Sequence, residues 1–143
     1  MTAKNLTCLS CGTVNRVPEE RLSSTPKCAT CGQPLNPPKV KEIDATALAK
    51  ASKRDQLPLL VDFWAPWCGP CRMMAPEFSK AATRMGTSIR FAKINTEAFP
   101  AVSQRHNIRG IPTMALFKNG KEIARQSGAL RADQIIAWAE SHK

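Results

Sequence analysis

No stretch of this sequence approaches the roughly eighteen consecutive apolar residues of a membrane-crossing helix. No membrane partner is therefore expected. Residues Met1 to Ser10 lack the apolar centre of an export signal, so a cytoplasmic location is expected too. The six cysteines are then expected to serve metal or redox chemistry, not the three structural disulfides of a secreted scaffold. Although the net charge is +10, no dense Lys/Arg block occurs. Of the 21 basic residues, 4 lie in residues 1–38 and 17 in residues 39–143, with no basic-aromatic stripe. The charge reads as a well-solvated surface, and nucleic acid is not an expected partner. No nicotinamide or flavin fingerprint is present, so no bound organic cofactor is expected. His106 has no partner at ligand spacing and reads as a surface residue.

What the sequence does have is three CxxC pairs in a chain of 143 residues, about one domain's length plus a small appendage. The first two are Cys8-Leu9-Ser10-Cys11-Gly12 and Cys28-Ala29-Thr30-Cys31-Gly32, separated by a sixteen-residue gap within the range of a four-cysteine zinc site. Each following glycine permits the positive-φ turn that points backbone N–H groups toward sulfur. Large apolar residues are few in this segment, so metal binding would supply its folding free energy. Four thiolates leave no open coordination position. The expected zinc is structural, one per chain, held by Cys8, Cys11, Cys28 and Cys31. Asn36-Pro37-Pro38 is punctuation, giving expected domains over residues 1–36 and 39–143.

The third pair stands in a different setting. Leu57 to Trp64 is apolar and too short for a typical helix, so a buried strand is expected. Pro70 suits the first turn of a helix, and Met73, Met74, Phe78, Ala81, Ala82 and Met85 continue with helical spacing past Pro76. Cys68 would sit at the helix start, where free N–H groups favour a thiolate, with Cys71 one turn later on the same face. Before this lie an expected strand at Val40–Ile43 and a helix capped by Asp44. After it come a strand at Ser88–Asn95, a helix at Glu97–Asn107 with Pro100 in its first turn, and a hairpin turning at Asn119-Gly120. A closing helix follows at Arg131–Ser141. This order argues for an α/β fold, a central mixed sheet with helices on both faces.

Trp67-Cys68-Gly69-Pro70-Cys71 and Gly110-Ile111-Pro112-Thr113 resemble the thioredoxin family over residues 39–143. With the cysteine-rich segment ahead of it, the chain is similar to the family's two-part, zinc-carrying bacterial thioredoxin 2 type, which also has proline before the active-site tryptophan, as Pro66 stands here. The resemblance implies the thioredoxin fold with a small N-terminal zinc-binding domain. It implies that Asp62 is the buried carboxylate behind the dithiol, that Lys93 neighbours it, and that Ile111-Pro112 is cis and binds an extended substrate chain. Trp67, Gly69, Pro70 and Gly128 would complete the substrate-binding rim. The activity implied is a protein disulfide reductase that keeps protein thiols reduced and contributes to oxidative-stress defence. Cys68 would be nucleophile and Cys71 resolving thiol. Its expected partners are disulfide-containing clients and an NADPH-dependent thioredoxin reductase that supplies electrons, and the chain itself is expected to be a monomer. Two alternatives stay open: a disulfide isomerase or oxidase, and a zinc-ribbon binding module on a thioredoxin scaffold.

Overall fold

Residues 2–143 are described by a computed structural model with two separate sheets. The smaller is a hairpin of β1 (Ala3–Thr7) and β2 (Val14–Pro18), paired antiparallel with Leu6 opposite Asn15, followed by a 3-10 turn over Glu19–Ser24. This hairpin was not anticipated. Its alternation spans only five residues in each strand, too few for the pattern to stand out beside the cysteine motifs. Leu6, Val17, Leu35 and the sulfurs of Cys8 and Cys28 form a small cluster completed by Leu57 from the other part of the chain.

The larger sheet has β3 (Val40–Glu42), β4 (Leu59–Trp64), β5 (Arg90–Asn95), β6 (Thr113–Lys118) and β7 (Lys121–Ser127), in the order β3-β5-β4-β6-β7. β3 and β4 run parallel to β5, and β6 and β7 complete the sheet antiparallel. The helices are α1 (Ala45–Arg54), α2 (Gly69–Met85), α3 (Ala101–Arg105) and α4 (Ala132–His142). Val61 and Phe63 of β4 pack with Leu48 of α1 and Val102 of α3, whereas Leu60 packs with Met74 and Phe78 of α2 and Ile135 of α4. A strand covered on both faces must be apolar on both, which is why β4 reads as a continuous run. Asp44 accepts the Ala47 N–H at 2.8 Å, capping α1, and α2 continues through Pro76. At the hairpin turn, Asn119 and Gly120 both take positive φ, 53° and 81°, as a type I′ turn requires.

Two expectations for residues 97–107 need correcting. The Glu97–Asn107 helix is shorter, because Asn95 Oδ1 accepts the N–H groups of Glu97 and Ala98 and holds that stretch in a turn, leaving Pro100 as the N-cap. His106 is no ordinary surface residue: its half-buried ring packs between Phe63 and Phe117, with centroids 5.5 and 5.6 Å away. Burial holds its imidazole below the usual range.

The solvated reading of the basic residues also fails at Arg90, which is 2% exposed. Its guanidinium pairs with the buried Asp55 carboxylate and donates to the Thr7 carbonyl at 2.7 Å and the Leu35 carbonyl at 3.0 Å. Asp55 in turn accepts the Thr7 N–H at 2.9 Å. Burial raises the Asp55 carboxyl above its usual range, against the pull of Arg90. Both ribbon carbonyls thus depend on a guanidinium from the larger sheet. Gln56 adds two further bonds to Asn5, at 2.8 and 3.0 Å. Arg90→Ala should destabilise the protein by about 3–5 kcal/mol, the usual cost of stranding one partner of a buried pair. Arg90→Met with Asp55→Leu should cost less than the two single changes summed. Urea unfolding read by tryptophan fluorescence checks this, since Trp64, Trp67 and Trp138 all lie in the larger unit.

Candidate active site and metal centre

The end of β4 delivers the chain to α2 through Ala65, Pro66 and Trp67, and Cys68 becomes the helix N-cap. Its sulfur accepts the Cys71 N–H at 3.2 Å, one of the amides that a helix start leaves without an internal partner. Cys68 and Cys71 are joined in a disulfide, with Cα atoms 5.2 Å apart and both residues buried. When the bridge opens, the same N–H and the positive end of α2 favour negative charge on Cys68. Trp67 stands out beside this pair, 66% exposed. The cysteines are concealed but their rim is apolar and open.

The opposite rim is the turn before β6. Ile111-Pro112 is cis, and the Ile111 carbonyl lies 3.7 Å from Cys68 Sγ. In the bridged state that sulfur carries no proton, so this is a close approach and not a hydrogen bond. Thr113 fixes the turn by donating to the Gly110 carbonyl at 2.6 Å, and its Oγ1 lies 3.0 Å from Ser127 Oγ. Gly128 donates to the Pro112 carbonyl at 2.9 Å with φ +97°, a conformation that disfavours any side chain there. An open groove beside Cys68 includes Trp67, Gly69, Pro70, Gly110 and Ile111, and brings in Arg109. The residues expected at the substrate rim therefore lie together. Thr113 stands in the Gly110–Thr113 motif read from the sequence, but its part in fixing the turn shows only in the fold.

Asp62 is 2% exposed, and its Oδ1 has no hydrogen-bond partner. Leu60 faces α2, so the alternation of β4 turns Asp62 toward the same side, where Cys71 stands one turn before Met74. Lys93 is its register partner on β5, but the Lys93 ammonium lies 5.0 Å from the Trp64 ring centroid and makes no ion pair with the carboxylate. Burial pushes the Asp62 carboxyl up to about 7, with Lys93 pulling weakly the other way. That value lets the side chain take or give a proton near neutrality.

The other four cysteines converge. Their sulfurs all lie within 4.8 Å of one another, with Cys8 to Cys31 and Cys11 to Cys28 both at 3.6 Å. A tetrahedral zinc with bonds of ~2.3 Å sets its sulfurs roughly 3.8 Å apart, so the set fits the ion. The two knuckles repeat each other. Cys8 and Cys28 donate to Thr13 and Gln33 carbonyls, while Gly12 and Gly32 donate back to Cys8 and Cys28 at φ +83° and +78°. Without a cation the sulfurs oppose one another. The Cys31 N–H and the Asn15 amide bring Cys28 down to about 6; the Gln33 N–H pulls Cys31 down, but loss of solvent around its sulfur and the three neighbouring sulfurs outweigh it and lift Cys31 to about 11. Asn15, which contacts Cys28, was not singled out from the sequence, although a polar residue two before the inward Val17 is a signal.

Known proteins match both parts. The family model described as Thioredoxin covers residues 39–141, and one described as Thioredoxin 2, N-terminal covers residues 7–33. Thioredoxin C-3 of Corynebacterium nephridii is 44% identical over 135 residues, 94% of this chain and 92% of its own. Thioredoxin of Rhodospirillum rubrum is 43% identical over 84 residues, 59% of this chain and 81% of its own. Among solved structures, Malassezia sympodialis thioredoxin (Mala s 13) aligns with a TM-score of 0.67 and 32% identity over 76% of this chain and 95% of its own. Among the described residues no helix is long and apolar enough to cross a membrane.

Asp62 makes stability depend on pH with a definite sign. Its folded pKa lies above the unfolded value near 3.9, so the stability it contributes is fully present below about pH 4 and lost as pH rises through about 7. A shift of this size corresponds to a loss on the order of 4 kcal/mol, at 1.36 kcal/mol per unit. Asp62→Asn should remove that slope and gain stability over the parent above pH 7. Chemical unfolding of both proteins at pH 5 and pH 8 measures it; parallel stability-pH curves would contradict the buried, protonatable carboxyl.

Proposed function

Because the chain belongs to the thioredoxin family, whose members are thiol–disulfide oxidoreductases, we propose that it is a general protein disulfide reductase working through Cys68 and Cys71. The observation that supports the assignment of roles is the place of Cys68 Sγ, at the N-cap of α2, accepting the Cys71 N–H and lying beside the Ile111 carbonyl. In the reduced protein the Cys68 thiolate attacks one sulfur of a client disulfide, and the client's second sulfur leaves as a thiolate and takes up a proton. Trp67, Gly69, Pro70 and the backbone of Ile111 before Pro112 hold the client segment extended across the groove. Asp62 then accepts the Cys71 proton, directly or through water. Cys71 attacks Cys68 Sγ, and the first client sulfur departs as the thiol. The products are a dithiol client and the Cys68–Cys71 bridge, two electrons having passed to the client. Lys93 keeps positive charge near Asp62 and limits the rise of its pKa.

Resetting the bridge requires two electrons, which we assign to an NADPH-dependent thioredoxin reductase. The natural setting is the cytoplasm, where clients are kept reduced and oxidative damage to thiols is reversed, with the protein acting as a monomer. Gly69-Pro70 supports reduction over oxidation or isomerisation, since a histidine there would stabilise the thiolate and favour the oxidant. Residues 1–36 form a zinc-binding domain and residues 39–143 the catalytic one. Cys8, Cys11, Cys28 and Cys31 would hold the zinc in a closed site, where it supplies folding free energy and no open position for substrate.

Two experiments test this reading. Cys71→Ser should accumulate mixed disulfides with clients that added dithiol clears, and Cys68→Ser should neither trap nor reduce them; the opposite pattern would reverse the roles. Metal analysis should find one zinc per chain, and a truncation starting at Lys39 should lose it while still reducing insulin. The truncated chain also leaves Arg90, Asp55 and Leu57 without their ribbon partners, so it should unfold at lower urea than the parent. Loss of insulin reduction in a truncation that still folds would refute the independence of the catalytic domain.

A further inference from the structure

A buried side-chain amide carries two donors and an acceptor that water no longer serves, and Asn15, 8% exposed, has a use for each. Its Oδ1 accepts the Ala29 N–H of the second knuckle at 3.0 Å. Its Nδ2 donates to the Thr13 carbonyl of the first knuckle at 3.1 Å and lies 3.5 Å from Cys28 Sγ. The orientation of the amide follows from these partners. Ala29 N–H can only donate, whereas the Thr13 carbonyl and a thiolate can only accept, so a flipped amide would face like against like at all three contacts. β2 turns the residue inward by alternation: Asn15 and Val17 are buried, and Val14 and Arg16 are exposed.

We infer that Asn15 is a positioning residue of the metal centre, which ties the two knuckles together and donates a hydrogen bond to the Cys28 thiolate. This rests on the reading of the four cysteines as a zinc site. Cys28 also receives the Thr30 N–H at 3.4 Å, while Cys8 receives the Cys11 N–H at 3.5 Å. Cys11 has a side-chain hydroxyl in reach as well, Thr13 Oγ1 at 3.3 Å, but it is exposed; Cys28 is the buried sulfur with a side-chain donor added to its backbone donors. Such bonds draw negative charge off a thiolate, which makes it less basic and slower to be captured by protons or electrophiles. Aspartate has the same shape and keeps the acceptor for Ala29, but it has no N–H and adds charge beside the sulfur. Alanine loses all three bonds. Outer partners of metal ligands typically change affinity by 10–100-fold when removed, and the same range is expected here for metal release.

Cobalt(II) substituted into the full-length protein reads the sulfur directly, through its sulfur-to-cobalt charge-transfer band. Asn15→Asp and Asn15→Ala should both move that band to longer wavelength, because a thiolate without the N–H holds its electrons less tightly. Both should also transfer zinc to a chromophoric chelator 10–100-fold faster than the parent. Insulin reduction by Cys68 and Cys71 should be unchanged in Asn15→Asp. An unmoved band in both variants overturns the inference, whatever the release rate. So does an Asn15→Asp protein with the parent's band while Asn15→Ala alone differs, since that leaves only the bond to Ala29. Failure of the parent protein to give tetrahedral thiolate–cobalt bands overturns the zinc-site reading itself, and this inference with it.

Discussion

A strand covered on both faces can present chemistry only at its end, or by burying a polar group without a partner, and β4 does both. Val61 and Phe63 meet α1 and α3, Leu60 meets α2 and α4, and the strand ends at Trp64, where the chain emerges toward Cys68. The dithiol thus stands at the carboxyl end of a central strand and the amino end of a helix, the place where unpaired N–H groups gather. Asp62 is the departure from this rule. An unpartnered buried carboxylate oxygen costs several kcal/mol when ionised, and the protein escapes that cost by holding its proton up to about pH 7. The destabilising residue and the proposed proton carrier are the same side chain, so the cost in stability and the chemistry have one origin.

The ribbon raises a different problem, since its apolar cluster has only a few side chains and takes Leu57 from outside the segment. A metal would supply what that core lacks. Arg90 acts at the seam. Its guanidinium reaches Thr7, Leu35 and Asp55 at once, a geometry suited to the planar fork of arginine and not to lysine. Domains joined by a flexible linker meet through wet, polar contacts. Here Arg90 and Asp55 are 2% and 1% exposed, so the two units share a buried ion pair at their junction even though each has its own sheet.

How legible all this was depends on the range of the interactions. CxxC spacing, Pro70 at a helix start, Asp44 as a cap and Asn119-Gly120 as a turn act over a few residues, and each could be read directly. The order of elements then restricted the sheet to a mixed arrangement with helices on both faces. Asp62 needed more: its sequence neighbours say only that a carboxylate lies in an apolar strand, and the family resemblance supplied its burial. Arg90 had no local signal, because its ribbon partners lie 55 and 83 positions away. His106 was misread for the same reason, since Phe63 and Phe117 reach it from separate strands. Asn15 was legible in principle, as a polar residue on the inward phase of a short strand, but five residues of alternation gave that phase little weight.

Three identical spacings lead to two kinds of sulfur, and the residue after the second cysteine separates them. Gly12 and Gly32 follow the first two pairs and take positive φ, turning the chain back so that their N–H groups meet the Cys8 and Cys28 carbonyls and four thiols converge from two knuckles. After Cys71 comes Arg72, already inside α2, and the chain continues as helix with Pro70 fixing its first turn. The two sulfurs there join each other, and Cys68 Sγ accepts the Cys71 N–H at the helix start. The electrostatics follow from that difference: one thiolate can be stabilised by a helix end, but four thiolates at contact distance require a cation. A glycine at position 72 would retain the CxxC spacing while weakening the helix start on which Cys68 stands. What distinguishes a redox pair from a metal knuckle in this chain is therefore whether the backbone after the pair turns back or goes on.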